Sequence, residues 1–187
     1  MILTDREIQI AIEQKLVVIE PPPRENAFSS TSVDLTLDPA LSEFRDAASG
    51  IERVVDPGAA GYDHEQTLGE LTESVTIGAE GYVFHPGKLI LAWTQEYVSL
   101  LLQAKIAARV EGKSSLARLG VGVHVTAPTI HAGFKGRIRL EMINHGKVPI
   151  RLRSGMKICQ LIFEQTLGTP QAGYSGQFSG QEASKKG

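Results

Sequence analysis

Residues 110–141, VEGKSSLARLGVGVHVTAPTIHAGFKGRIRLE, decide how this chain is read. Two apolar runs in it, Val121 to Val125 and Ile138 to Ile143, are short and bounded by glycine, proline and polar turn residues. That pattern belongs to antiparallel strands rather than helices. Ahead of them, Gly112, Lys113, Ser114 and Ser115 offer a flexible turn, a cation, two hydroxyls and exposed backbone N–H groups. Arg118 follows about one helical turn later, where its fork can reach the same anion. One helical turn over Ser115 to Leu119, stopped by Gly120, would aim the N–H groups of Ser114 and Ser115 outward. At the far end, Glu141 lies on a strand that leaves a glycine-rich turn, a place from which a carboxylate can act as an acid/base group. A phosphate cradle and a proton carrier on neighbouring pieces of one β-rich domain point to chemistry on a nucleotide.

The same punctuation runs outward from this stretch. Tyr82 to Phe84, Leu89 to Trp93, Ile106 to Val110, Val148 to Leu152 and Met156 to Phe163 are further short apolar runs between turn residues. Several strands at this spacing indicate a sandwich, jelly roll or distorted barrel. Near the start, Thr4-Asp5-Arg6-Glu7 fits a capping box, and Ile8, Ala11, Ile12 and Leu16 recur at helical spacing, which predicts an amphipathic helix over residues 5–15. Pro21, Pro22 and Pro23 forbid its continuation. Val33, Leu35 and Leu37 then alternate with Asp34, Thr36 and Asp38, as in a half-buried strand. Ala47 to Glu70 mixes acidic, glycine and small residues without a period and reads as a long excursion or flexible insert.

A chain of 187 residues suffices for one domain with a real core. We read a single β domain over residues 1–168, followed by a polar, glycine-rich tail over 169–187. Nineteen basic and 21 acidic residues leave a net charge of −2, so no overall field favours nucleic acid or an anionic membrane. The single cysteine, Cys159, cannot form an internal disulfide and suits a reduced compartment. No apolar run reaches about 18 residues and no signal pattern opens the chain, so the expectation is a cytoplasmic protein.

Within Arg137 to Ile143, strand alternation places Arg137, Arg139, Glu141 and Ile143 on one face and Ile138, Leu140 and Met142 on the other. On periodicity alone, Glu141 fits a solvated Arg/Glu ladder as well as a catalytic role. Lys113, Ser114, Ser115 and Arg118 fit an ordinary turn with surface cations as well as an anion site. His124 fits a packed imidazole at a strand end before the Pro128 break. His64, His85, His124, His131 and His145 are scattered without ligand spacing, and there is no His-x-Glu or Pro-Cys-x-x-Cys pair of the kind that holds zinc in deaminases.

The string Glu111-Gly-Lys-Ser-Ser-Leu-Ala-Arg-Leu-Gly, followed by His124-Val-Thr-Ala, resembles the dCTP deaminase branch of the trimeric dUTPase-like superfamily. The likeness extends to Ser30 to Leu35, to His85-Pro86-Gly87 and to Pro149 to Phe163 with its Ser154-Gly155-Met156 turn, which is most of the chain. It implies a mainly β fold, a distorted jelly roll or β-barrel of the dUTPase-like type, with a short N-terminal helix and one helical turn after the phosphate motif. It implies zinc-independent deamination of dCTP to dUTP and ammonia, supplying dUTP for thymidylate synthesis. Glu141 would be catalytic. Ala127, Thr126, His124 and Val125 would line the base and water site, with the Ala127 carbonyl orienting the water and His124-Val125 shifting when dTTP inhibits. Lys113, Ser114, Ser115 and Arg118 would hold the triphosphate, with Mg2+ carried through the nucleotide phosphates rather than by protein ligands. Each active site would be shared between subunits of a homotrimer. Tyr174, Gln177 and Gln181 would belong to a C-terminal lid.

Two departures bear on activity. Gln177-Phe178 stands where the lid commonly carries Lys-Tyr, which removes a positive charge. His131 stands where relatives usually carry the aspartate that activates water for dUTP hydrolysis. The alternatives to the deaminase are therefore a bifunctional dCTP deaminase and dUTP diphosphatase yielding dUMP, which His131 disfavours, and a catalytically silent deoxynucleotide-binding trimer.

Overall fold

The computed structural model describes residues 1–46, 54–173 and 180. Helix α1, Asp5–Glu13, starts where the capping box places it: the Glu7 carboxylate accepts from the Thr4 backbone N–H at 3.1 Å and from the Thr4 hydroxyl. It ends two residues before the expected limit because Lys15 enters the left-handed region (φ 57°), with its N–H donating to Ile12 O at 3.0 Å. The strands follow as β1 (Val17–Glu20), β2 (Phe28–Ser29) and β3 (Ser32–Phe44). After helix α2 (His64–Leu71) come β4 (Thr72–Thr76), β5 (Tyr82–Phe84), β6 (Leu89–Leu100) and β7 (Ile106–Gly112). Helix α3 (Ser114–Ala117) precedes β8 (Val121–Gly122), β9 (Thr129–Ile130), β10 (Lys135–Asn144), β11 (Ile150–Leu152) and β12 (Lys157–Gln165).

The strands make one curled sheet in the order β8-β10-β6-β3-β12-β7-β9, with β1 on β6 and with β2 and β4 on β3. Strands β11 and β5 form a separate pair. The curl is produced by β3, whose residues 33–36 pair with β12 while Leu37 to Glu43 pair with β6, across a register shift between Leu37 and Leu41. One strand therefore serves both halves of a jelly-roll-like fold, as the β-rich pattern predicts. Leu35, Leu37, Ile90, Leu140, Met142 and Phe163 are fully buried between the halves, each contributing roughly 1.5–3 kcal/mol of transfer free energy.

Three expectations are corrected. Strand β3 is not half-buried: Asp34 and Asp38 are buried along with the alternating aliphatics. Each is matched by cations from elsewhere in the fold, Asp34 by Lys113 and by Lys157 at 3.0 Å, and Asp38 by Arg137 at 2.6 Å. The strand expected over Val121 to Val125 stops at Gly122, and the chain then leaves the ladder until Thr129. The excursion expected over 47–70 contains helix α2; its first part, 47–53, lies outside the described residues. Asp63 caps α2, its side chain accepting from the Gln66 backbone N–H at 2.9 Å, so the segment is locally ordered although no apolar period announces it.

Candidate active site

Strand β10 pairs with β6 along its whole length, but two residues advance on β10 (Arg137 to Arg139) against four on β6 (Tyr97 to Trp93). The resulting bulge removes Ile138 from the regular ladder, and its N–H donates instead to the buried Thr94 hydroxyl at 3.1 Å. Bulges of this kind re-aim neighbouring side chains. Here they separate two arginines that share a strand face. Arg137 turns to Asp38, whereas the Arg139 guanidinium lies 5.0 Å over the Trp93 ring and faces a cavity.

That cavity, of about 490 Å³, is lined by Arg139 and Glu141 from β10, by His124 to Ala127 from the irregular stretch after β8, and by His131 from the turn before β10. Its volume suits a small molecule. His64 and Leu68 of α2 form another wall. The remaining surface is largely aliphatic, including Leu91, Ile138 and Leu140. An apolar pocket with one carboxylate and a few convergent polar groups can hold a flat heterocycle and move protons on it. His124 is half-buried, and its buried Nδ1 has no hydrogen-bond partner among the described residues. Burial pulls the Arg139 guanidinium below the ordinary arginine value, opposed by the Glu65 and Glu141 carboxylates; it remains a cation at any physiological pH.

The structure thus brings Glu141 together with His124, Val125, Thr126 and Ala127, as the resemblance implies. It does not bring the phosphate motif to them. Ser114 and Ser115 open α3, Lys113 and Arg118 cap its two ends, and all four are absent from the cavity wall within one chain. Ser114, Ser115 and Arg118 are exposed, while the Lys113 ammonium is taken up by the buried Asp34. The end of α3 is pinned: Gly120 has φ +92°, and a Cβ there would lie 2.4 Å from the Gly146 nitrogen. The lid residues Tyr174, Gln177 and Gln181 lie outside the described residues. Among the described residues, no three of His, Cys, Asp and Glu gather as a metal-binding group, and no helix is long and apolar enough to cross a membrane.

Among the cavity residues that sequence reasoning missed are Arg139, His64 and Leu68. Arg139 was seen only as one of two equivalent strand arginines, and nothing local distinguishes them. His64 and Leu68 were hidden in the unperiodic insert. The Asp63-x-x-Gln66 cap and the i, i+3 pair Leu68 and Leu71 were the available signals.

A family model described as dCTP deaminase-like matches residues 2–166. A protein of Methanobrevibacter smithii named "dCTP deaminase, dUMP-forming" is 39% identical over 90% of this chain and 82% of its own length. A "dCTP deaminase" of Shewanella oneidensis is 40% identical over 90% of this chain and 86% of its own. The crystal structure of 2′-deoxycytidine 5′-triphosphate deaminase from Agrobacterium tumefaciens superposes with a TM-score of 0.67 and 25% identity. It covers 88% of this chain, which spans only 48% of that one. With the curled β fold and the pocket around Glu141, these matches lead to one conclusion: the chain belongs to the dCTP deaminase-like family.

Proposed function

We propose that this protein deaminates dCTP to dUTP and ammonia in a reaction whose proton carrier is Glu141. The observation that carries this reading is the convergence of Glu141 and the His124 to Ala127 segment on one pocket large enough for a nucleobase. Glu141 takes a proton from a water held beside the Ala127 carbonyl, and the resulting hydroxide adds to C4 of cytosine. The same carboxyl group returns its proton to N3. A further proton, passed from the new C4 hydroxyl through Glu141 to the amine, allows the C4–N4 bond to break, releasing ammonia and leaving a C4 carbonyl. The aliphatic walls keep bulk water from competing with the positioned one.

One feature supports a homotrimer with shared sites. The cradle of Ser114, Ser115 and Arg118 is exposed and lies apart from Glu141 within one chain, so a triphosphate attached to a base in the pocket would be met by the cradle of a neighbouring copy. The donors there are hydroxyls, backbone N–H groups and cations rather than carboxylates, which fits Mg2+ arriving on the triphosphate. When bound, the ion would neutralise phosphate charge. The Lys113 ammonium, held by Asp34, adds to that cradle through its position rather than as an isolated charge.

Incubation of dCTP with the protein and separation of products tests the reading: dUTP and ammonia are expected, and bound but unchanged dCTP would favour the silent binder. The dUMP-forming name of the M. smithii relative gives the bifunctional reading a specific ground. Against it, His131 sits at the pocket where a carboxylate would be needed to activate a second water, and an imidazole is longer than a carboxylate. A misplacement of about 1 Å can cost on the order of a hundredfold. dUTP should therefore accumulate, whereas stoichiometric pyrophosphate would establish the bifunctional enzyme.

A further inference from the structure

Arg139 has no part in the reaction as derived so far, yet it is the pocket's single permanent cation among the described lining residues. Its environment is specific. The guanidinium carbon lies over the Trp93 ring, 5.0 Å from its centroid, which holds the planar fork at the cavity edge. Its Nε is buried without a hydrogen-bond partner among the described residues, which leaves the terminal nitrogens of the fork as the donors that can face a ligand in the cavity. Arg137, two residues earlier on the same face, is excluded from this role by its ion pair with Asp38 at 2.6 Å.

A triphosphate is a poor match for this cation. The Glu141 carboxylate lies two residues along the same strand face and Glu65 acts on the guanidinium from α2, so a polyanion would meet two negative charges where it met one positive. A neutral carbonyl would not. Neighbouring side chains on one strand face stand about 7 Å apart, a span that can bracket the edge of a pyrimidine. Cytosine presents a carbonyl acceptor at O2, an acceptor at N3 and an amino donor at N4. A guanidinium donor beside a carboxylate acceptor complements that sequence of groups.

We propose that Arg139 is a specificity-determining residue of the deaminase, donating from its Trp93-backed guanidinium to the O2 carbonyl of the cytosine ring while Glu141 works at the N3, C4 and N4 edge. Hydroxide addition at C4 pushes electron density onto N3 and, by conjugation, onto O2, so a donor at O2 also strengthens as the addition proceeds. The inference rests on the deaminase reading for its chemistry. Its binding consequences can be judged without turnover.

The test uses the full-length protein with magnesium and calorimetric titration of dCTP, 2-thio-dCTP and inorganic tripolyphosphate, in wild type, Arg139→Gln and Arg139→Lys. Arg139→Gln is expected to weaken dCTP by about ten- to a hundredfold and to leave tripolyphosphate unchanged. Arg139→Lys, which keeps the charge but loses the planar fork, should fall between. Replacing O2 by the poorer acceptor sulfur should weaken binding to wild type, and that penalty should vanish in Arg139→Gln. Equal weakening of dCTP and tripolyphosphate, or a thio penalty that persists in Arg139→Gln, would overturn the assignment. Wild-type protein that binds dCTP and releases no ammonia would overturn the deaminase reading instead, while the two thio penalties would still decide Arg139.

Discussion

Glu141 and Arg118 make different demands on their side chains, and the demands can be separated experimentally. If Glu141 shuttles protons, Glu141→Gln keeps its shape and hydrogen-bonding capacity but cannot accept the proton from water. Turnover should drop by about a hundredfold or more with dCTP binding retained. Near-normal steady-state rates would remove Glu141 from the proton path. Arg118 is exposed beside α3, and on the proposed reading its planar fork would match phosphate oxygens. Arg118→Lys should weaken dCTP severalfold in titration and leave deoxycytidine, which has no phosphates, unaffected. Equal loss for both ligands would point to damage beyond the cradle.

Helix α3 is held by its buried Leu116 and, at its exit, by close backbone contact. Its exit runs through Gly120 at φ +92°, a conformation that disfavours any Cβ. The neighbouring Leu119 and Gly146 backbones leave no room either, a Cβ on Gly146 falling 2.3 Å from Leu119 O. Gly120→Ala is therefore expected to cost about 2 kcal/mol or more, seen as a melting temperature lower by roughly 4–8 °C for a chain of this size. The same change should raise the KM for dCTP, because the cradle hangs on this turn. An unchanged melting curve would mean that the turn relaxes freely. Helix α2 teaches the complementary lesson: its cap and its Leu68 were present in the sequence, but a segment with no buried residue of its own carries no period to reveal it.

For the whole molecule, the proposed sharing of each site between copies has a quantitative consequence. If each pocket joins Glu141 of one copy to the cradle of another, Glu141→Gln and Arg118→Ala proteins are each inactive alone. Unfolding and refolding them together in equal amounts should restore about a quarter of wild-type activity, the fraction of sites in randomly assembled trimers that receive both intact groups. Mixtures as inactive as the separate variants would show that each chain builds its own site.

The sequence by itself determined a great deal here, for reasons that are local. Strand alternation depends only on a period of two, so Ile138, Leu140 and Met142 could be assigned to the core and Arg137, Arg139 and Glu141 to the other face before any tertiary contact was known. Capping at Thr4 likewise depends on a few adjacent residues, whereas the helical turn expected over Ser115 to Leu119 lies one to two residues earlier, at Ser114–Ala117. What the sequence could not decide were the properties set by partners distant along the chain. Asp34 and Asp38 look like the polar face of a half-buried strand until Lys113, Lys157 and Arg137 arrive from other elements to neutralise them. Arg137 and Arg139 look alike until a four-against-two bulge on β6 sends one to Asp38 and stacks the other on Trp93. Only the tertiary structure could make these decisions, because burial of a charge is tolerable only where its counter-charge is delivered, and that delivery is a property of the fold rather than of any window of residues.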